Sequence, residues 1–321
     1  MPSGAGRITL WHIEVFVAVA EERSVSAAAR RLGASPSAVS QQVSNLEAAL
    51  SAELLDRDQR PMVLTPAGEM FRRRAQTILN EAEQARLELS APDMSYLTRM
   101  RLGMIEDFEA DVTPRLLSRL SEELRGCQFL LETGASHFLQ DQLDARALDV
   151  IVAAEMGAPA DWMEVHPVMV EGFVVAVPRG LDGAGTDLPS ALKRLPLVQY
   201  TQRHHMGRLI ADHLARQNLT VDHRFEIDSY HAILALVAAG AGWTILTPLA
   251  LMRARRFAAE IDVYPLPFAP LERTISLIAR RDVLKTMPGT VAGQLRGIVD
   301  EVIVRPARAA YPFLDESLRL V

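Results

Sequence analysis

Two helical apolar patterns separated by a turn of only a few residues constrain this chain more than any other feature. Leu10, Ile13, Phe16, Val17 and Ala20 recur at three- and four-residue steps, with Glu14, Glu21 and Glu22 off that face, and predict a first helix. Ser24 or Ser26 can cap a second helix running through Ala27, Ala28, Ala29 and Leu32, which Gly33 would end in the left-handed conformation. After the tight Gly33-Ala34 turn, Ser35 is a good N-cap and Pro36 suits the first helical position, where its missing N–H costs nothing. Along that third helix Val39, Val43, Leu46 and Leu50 face inward, while Ser37, Ser40, Gln41, Gln42 and Ser44 face out. The outer face is polar but uncharged.

Two helices joined by a short glycine turn, the second showing hydroxyls and amides, is the layout that lays a helix in the major groove of DNA. Gln41 and Gln42 can bond adenine edges bidentately, although an ordinary solvated face fits the same residues. Leu54-Leu55 and Met62-Val63-Leu64 flank Asp56-Arg57-Asp58-Gln59-Arg60-Pro61, which reads as a short hairpin, a wing reaching phosphates or the minor groove. The formal net charge of −6 argues against a chain coated in positive charge, yet leaves a local DNA-binding face open.

Phe16-x-Ala18-Val19-Ala20, Ser26-Ala27-Ala28-Ala29-x-x-Leu32, Ser35-x-Ser37-Ala38-Val39-Ser40-Gln41-Gln42, Leu46-Glu47 and Leu64-Thr65-Pro66-Ala67-Gly68 follow one another in that order. Together, over about the first seventy residues, these motifs resemble the LysR-type transcriptional regulators. The resemblance implies that Ser37, Ser40 and Gln41 occupy recognition-helix positions that meet base edges and that Arg60 at the wing tip enters the minor groove, with Arg57 bracing the wing; Ser35, Pro36 and Gln42 beside them are further DNA-binding candidates. Three departures stand out: Pro36 replaces a commonly polar contact residue, Ser51 the usual glycine, and Leu55 the usual phenylalanine. They bear on the operator sequence rather than on the fold.

Thr65 can cap and Pro66 begin a long linker helix, in which Ala67, Phe71, Ala75, Ile78, Ala82, Ala85 and Leu89 step by 4, 4, 3, 4, 3 and 4. Such a seam favours dimerisation; the alternative is a helix packed on its own domain. Arg72, Arg73 and Arg74 lie off the seam near the wing.

Ser90 to Ser95 reads as a turn-rich linker, after which short apolar strands alternate with amphipathic helices. Strands are expected over 101–104, 129–132 and 150–153 with helices near 112–124 and 137–147, giving a parallel sheet. A second series runs through 173–177, 206–217, 224–227, 230–239 and 243–246, and 274–279 with a helix near 291–304 would return to the first lobe. The apolar run Ala232 to Met252 is about as long as a membrane span, but Gly240, Gly242 and Pro248 divide it into helix, turn and strand.

The whole is therefore an α+β multidomain chain. It comprises a winged helix-turn-helix over 1–65, a linker and dimerisation helix over 66–90, and a two-lobed α/β domain over 97–321 that resembles periplasmic binding proteins and the LysR effector domain. Lobe 1 is expected at about 97–168 and 268–304, and lobe 2 at about 169–267. Leu148-Asp149-Val150-Ile151, Ala238-Ala239-Gly240-Ala241-Gly242-Trp243 and Thr247-Pro248 stand where the family has comparable motifs.

A cleft at the carboxyl ends of the strands is the default ligand position in such sheets. Ile105, Glu106, Asp107, Ser136, His137, Thr201, Gln202, Arg203, Asp228, Ser229 and Thr247 would line it. Glu106 and Asp107 can hold an amine, and Arg203 with His204 a carboxylate, so an amino-acid-like effector suits them; solvated loop charges account for the same residues.

The expected function is that of a sequence-specific DNA-binding transcriptional regulator switched by a small-molecule effector. The alternative is a cytoplasmic solute-binding receptor that does not read DNA. By the family resemblance its partners are double-stranded DNA with imperfect palindromic operators, the effector, and further copies of itself as homodimer and homotetramer, with RNA polymerase a further candidate. Effector binding would alter lobe closure, and with it dimer spacing and DNA bending.

No metal, cofactor or catalytic activity is expected. His204, His205 and His213 lack partners at familiar ligand spacing, Cys127 lacks an evident base, and Gly240-x-Gly242 follows a helix rather than a strand. The lone cysteine and the polar start Met1-Pro2-Ser3-Gly4 point to the cytoplasm. Residues 305–321 are unassigned, although Tyr311, Phe313 and Leu314 suggest that this tail docks.

Overall fold

The computed structural model describes residues 7–57, 59, 61–89, 97, 99–181, 183, 185–219 and 221–321, and its compact units divide near Leu97. Among the described residues, no helix is long and apolar enough to cross a membrane.

The first unit is built from α1 (Leu10–Glu22), α2 (Val25–Leu32), α3 (Pro36–Leu50), β1 (Leu55–Asp56), β2 (Val63–Leu64) and α4 (Pro66–Leu89). Thr9 caps α1 in a capping box with His12, and α1 buries Ile13 and the run Val15 to Val19. It does so because α2, α3 and α4 enclose it; Ala28 and Ala29, Val39, Val43 and Leu46, and Phe71 and Ala75 join the same core. Each such large side chain contributes about 1.5 to 3 kcal/mol on burial. Ser24, rather than Ser26, caps α2, and Gly33 ends it at φ 63°.

The linker helix divides the expected seam. Phe71 stacks on Phe16 with ring centroids 5.3 Å apart, and Ala75 is fully buried, so the first turns of α4 complete their own unit's core. Beyond them Ile78 is 41% exposed and Ala85 is exposed, leaving the later seam open. The side chain of Leu89 and the linker Ser90–Ser95 lie outside the described residues, as does Arg60.

The wing is held by one carboxylate. Glu47 on α3 accepts from the backbone N–H groups of Leu54 (2.8 Å) and Leu55 (3.2 Å) through Oε1, and from Arg57 (2.8 Å) through Oε2. Leu55 pairs with Leu64 and Asp56 with Val63 in the two-stranded ladder. Thr65 then caps α4, and Gly68 lies so close beneath Leu54 that an added Cβ would sit 2.0 Å from its carbonyl oxygen.

The second unit carries, in chain order, β3 (Arg99–Ile105), α5 (Thr113–Glu123), β4 (Gln128–Gly134), α6 (Ser136–Asp144), β5 (Val150–Ala154) and β6 (Met163–Gly172). There follow β7 (Val174–Pro178), α7 (Leu188–Leu192), β8 (Leu197–Tyr200), α8 (His205–Arg216), β9 (His223–Ile227), α9 (Tyr230–Ala238), β10 (Thr244–Leu246), α10 (Pro248–Arg253) and β11 (Ile261–Pro265). The chain ends with β12 (Glu272–Arg280), α11 (Met287–Val299), α12 (Arg305–Ala310) and β13 (Leu318–Leu320).

One sheet has the order β13-β6-β12-β5-β3-β4; the other lobe holds β10-β7-β11 and the parallel pair β8-β9. The first sheet is mixed rather than parallel. β3 runs parallel to β4 and β5, but β12 pairs antiparallel with β5 and β6, and β13 antiparallel with β6. β6 is hard to see in the sequence because Glu164, His166, Pro167 and Glu171 break its apolar run. Its two carboxyl-bearing residues are held differently, Glu164 by His166 and Glu171 by Arg273.

The tail is a strap. Leu318 pairs with Glu171 in the added strand, Gly172 N–H donates to Ser317 O at 2.7 Å, and Arg319 meets Glu272 at 3.2 Å. It thus touches both points at which the chain passes between sheets.

Ser51 ends α3 at φ 51°, ψ 38°, a left-handed conformation that costs a residue with a Cβ about 1 to 2 kcal/mol. Ser51→Gly should therefore raise stability by about 1 kcal/mol, after the entropy glycine gains in the unfolded chain is deducted. Urea denaturation of the two proteins checks this; an unchanged or lower midpoint would show that the left-handed cap carries no strain.

Candidate functional site

On α3, Ser35 Oγ accepts from the Ala38 N–H at 3.2 Å and lies 3.1 Å from Ser37 Oγ, so the opening turn is fixed by the sequence itself. Ser35, Pro36, Ser37 and Gln41 are exposed, and Ser40 and Gln42 half-buried. Gln41 Nε2 donates to Asn45 Oδ1 at 2.9 Å, an i,i+4 bond that aligns its amide along the helix. Arg57 donates to Ser44 and Glu47, so it braces the wing against this helix.

The second unit encloses a cavity of about 640 Å³, within the 300–1,000 Å³ typical of small-molecule sites. Ile105, Glu106, Asp107, Ser136, His137, Asp228, Ser229 and Thr247 line it. Thr201, Gln202 and Arg203 are not part of the wall. Glu226 on the neighbouring strand β9 captures their loop, accepting from Thr201 Oγ1 at 2.7 Å and Gln202 N at 3.0 Å, and Arg208 bonds the carbonyls of Gln202 and Arg203. The wall is made instead by the strand's last residue, Tyr200, and by His204, His205 and Met206 at the start of α8.

At one side of the cavity the guanidinium of Arg273, on β12, bridges two carboxylates. It meets Asp107 Oδ2 at 2.8 Å and Glu171 Oε1 at 2.6 Å. Glu171 is fully buried, and its other oxygen accepts from the Leu249 N–H at 3.1 Å. Burial pushes the Glu171 carboxyl upward and Asp107 adds to this, while Arg273 pulls against both. Burial also disfavours the charged form of Arg273, but Glu171 and Asp107 outweigh it and hold its pKa above the ordinary arginine value.

Neither Arg273 nor Glu171 was singled out from the sequence. The signal present in the sequence is a charge beside a largely apolar run, Val168-Met169-Val170 before Glu171 and Ile275 to Ala279 shortly after Arg273, and a buried charge requires a partner.

Imidazoles and phenols complete the lining. His137 and His204 meet edge to face with ring centroids 5.7 Å apart, and His137 Nδ1 is buried without a hydrogen-bond partner. Burial, with Arg208 adding, lowers the pKa of His205; burial, with Arg256 and Arg253 adding, lowers that of His231. Both rings therefore favour the neutral form at neutral pH. Among the described residues no cluster of histidine, cysteine and carboxylate side chains is arranged to hold a metal ion.

Cutting one member from the Arg273 bridge tests its energetics. Arg273→Met strands two carboxylates, one of them fully buried, and should cost about 3 to 5 kcal/mol. Glu171→Gln keeps an acceptor for Leu249 and removes the buried charge, so its cost should stay near or below about 1 kcal/mol. Thermal denaturation of both variants decides; equal losses would mean that the bridge acts through packing alone.

The family model described as "LysR substrate binding domain" matches residues 97–287, and that described as "Bacterial regulatory helix-turn-helix protein, lysR family" matches residues 10–69. A probable hydrogen peroxide-inducible genes activator of Mycobacterium avium is 33% identical over 208 residues, covering 64% of this chain and 66% of that protein. The uncharacterized HTH-type transcriptional regulator YfeR of Shigella flexneri is 28% identical over 76% of this chain and 79% of its own length. In fold, the chain resembles a full-length OxyR variant of Pseudomonas aeruginosa, with a TM-score of 0.69 and 22% identity over 92% of this chain and 95% of that one.

Proposed function

This chain belongs to the LysR family of DNA-binding transcriptional regulators, and from that membership we propose that α3 reads an operator while the cavity of the second unit takes the effector that switches the protein. The observation that carries the reading is the exposed, uncharged amide and hydroxyl face of α3 lying within the helix-turn-helix match. Ser37, Ser40, Gln41 and Gln42 meet base edges, Ser35 and Pro36 set the angle at which the helix enters the groove, and Arg60 reaches the minor groove.

The remaining exposure of α4 at Ile78 favours a homodimer, the assembly that fits an imperfect palindrome, with tetramers as its pairing. The protein is read as cytoplasmic, as binding RNA polymerase at its promoters, and as a binding protein rather than an enzyme. A receptor that does not read DNA would leave the α3 face without a role.

The name of the Mycobacterium avium relative raises a peroxide response. Here burial, with Asp149 adding, pushes the one cysteine, Cys127, up to about 11, and it is the thiolate that oxidants attack. That shift disfavours the reactive thiolate, and the reading places sensing in the cavity. Glu171 and Arg273 lie at the chain's passages between the two sheets, so a ligand held between Asp107 and Asp228 would bear on the angle between the lobes. Switching then requires that the effector bind the two states with different affinity.

Genomic fragments retained by the protein at controlled salt, followed by footprinting, should show twofold-related half-sites. Gln41→Ala should weaken specific binding by about 1 to 3 kcal/mol while leaving retention of random DNA unchanged. Protection without sequence preference would favour the receptor reading. Ile78→Glu should lower the self-association constant in sedimentation, and an unaltered dimer would move the interface elsewhere.

A further inference from the structure

The charges in the cavity are unevenly committed. Four carboxylates, Glu106, Asp107, Glu109 and Asp228, stand in its wall against two arginines, Arg253 and Arg273. Both arginines carry partners, Arg273 in Asp107 and Glu171, and Arg253 in Tyr230 and, at 3.7 Å, Asp111, although Arg253 Nε is buried without a hydrogen-bond partner among the described residues. Glu106, Glu109 and Asp228 have no ion-pair partner among the described residues.

Two further polar groups face the cavity without partners. Tyr200 is only 6% exposed, yet it lines the cavity and its hydroxyl makes no hydrogen bond among the described residues. His137 Nδ1 is likewise buried and unpartnered. The hydroxyl oxygen can accept, as can the ring nitrogen in the tautomer protonated on Nε2, and with the electron-rich ring faces and the uncommitted carboxylates they form a site for a hydrogen-bond donor carrying positive charge.

The opposing influence is the uncapped start of α8 and of α9, where His204 and Ser229 make no side-chain cap bond. Such a terminus carries about half a charge, less than the carboxylate it would have to offset. An entering carboxylate would meet three unpaired carboxylates, and the one buried arginine nitrogen there without a partner among the described residues, Arg253 Nε, offers it a single donor.

We propose that the effector is a small organic cation, an amine or guanidine, whose charged nitrogen is held by Glu106 and Asp228. This rests on the reading of the cavity as the effector site and narrows the effector to one class. The amino group of an amino-acid-like molecule satisfies it; a simple organic acid does not.

The probes are putrescine, agmatine and phenethylamine, set against succinate, glutarate and phenylpropionate of similar size, titrated into the full-length protein by calorimetry and thermal shift. At least one amine should bind saturably, with no acid doing so. In the surface variant carrying Glu106→Gln and Asp228→Asn, whose fold circular dichroism verifies, affinity for that amine should fall about tenfold or more. Binding confined to the acids, no response to any amine, or unchanged amine affinity in the variant overturns the proposal. Ala135→Trp, which fills the cavity, separates the two levels: acid binding abolished by it leaves the cavity reading intact and removes only the cation. Amine binding that survives it removes both.

Discussion

The second unit is organised around a charge that cannot stand alone. A buried guanidinium is tolerated only when carboxylates and hydrogen bonds replace the water it has lost, and Arg273 finds both in Asp107 and Glu171. Those partners come from distant parts of the chain, the end of β3 and the end of β6, while Thr247 and Leu249 approach from the start of α10. Satisfying one arginine therefore fixes where both sheets meet the cavity. Its neutralisation also leaves the remaining wall with its acidic character.

In the first unit, Glu47 does comparable work for a two-residue ladder too short to be stable by itself. Its carboxylate supplies two backbone N–H groups with an acceptor and holds Arg57, so the wing keeps its position against α3. Gly68 sets the opposite side by allowing α4 to approach the Leu54 carbonyl. The position of α3 is thereby linked to that of α4 through the Glu47 carboxylate and the close approach of Gly68 to the Leu54 carbonyl.

Much of this was legible because local chemistry and fold agree. Ser24, Gly33, Ser35 and Pro36 are cap and turn residues with few other uses, and the structure places each at its helix boundary. The glycine-divided run after Tyr230 likewise becomes helix, turn and strand. What escaped depends on contacts far apart in sequence. The seam of α4 could not reveal that Phe71 and Ala75 would be claimed by α1, because periodicity names a face and not its partner. Thr201 to Arg203 sit where a strand end ought to open on a cleft, and Glu226 on a neighbouring strand, with Arg208 on α8, turns them away. β6 was obscured by its charges, whose partners lie elsewhere in the fold.

The tail gives the hinge region a further constraint. β13 adds an antiparallel edge to β6 where Glu171 enters the Arg273 bridge, and Arg319 grips Glu272, the residue before Arg273. Leu314 and Leu318 are fully buried, so the strap is anchored by packing as well as by its ladder. An effector that drew Asp107 toward itself would weaken one arm of the bridge, but the strap would keep the other arm and both strand passages in register. Motion would then be directed to the Asp107 side of the cavity rather than spread as loosening of the whole sheet. A switch needs that asymmetry, because a ligand changes a population only through the contacts that differ between the two states.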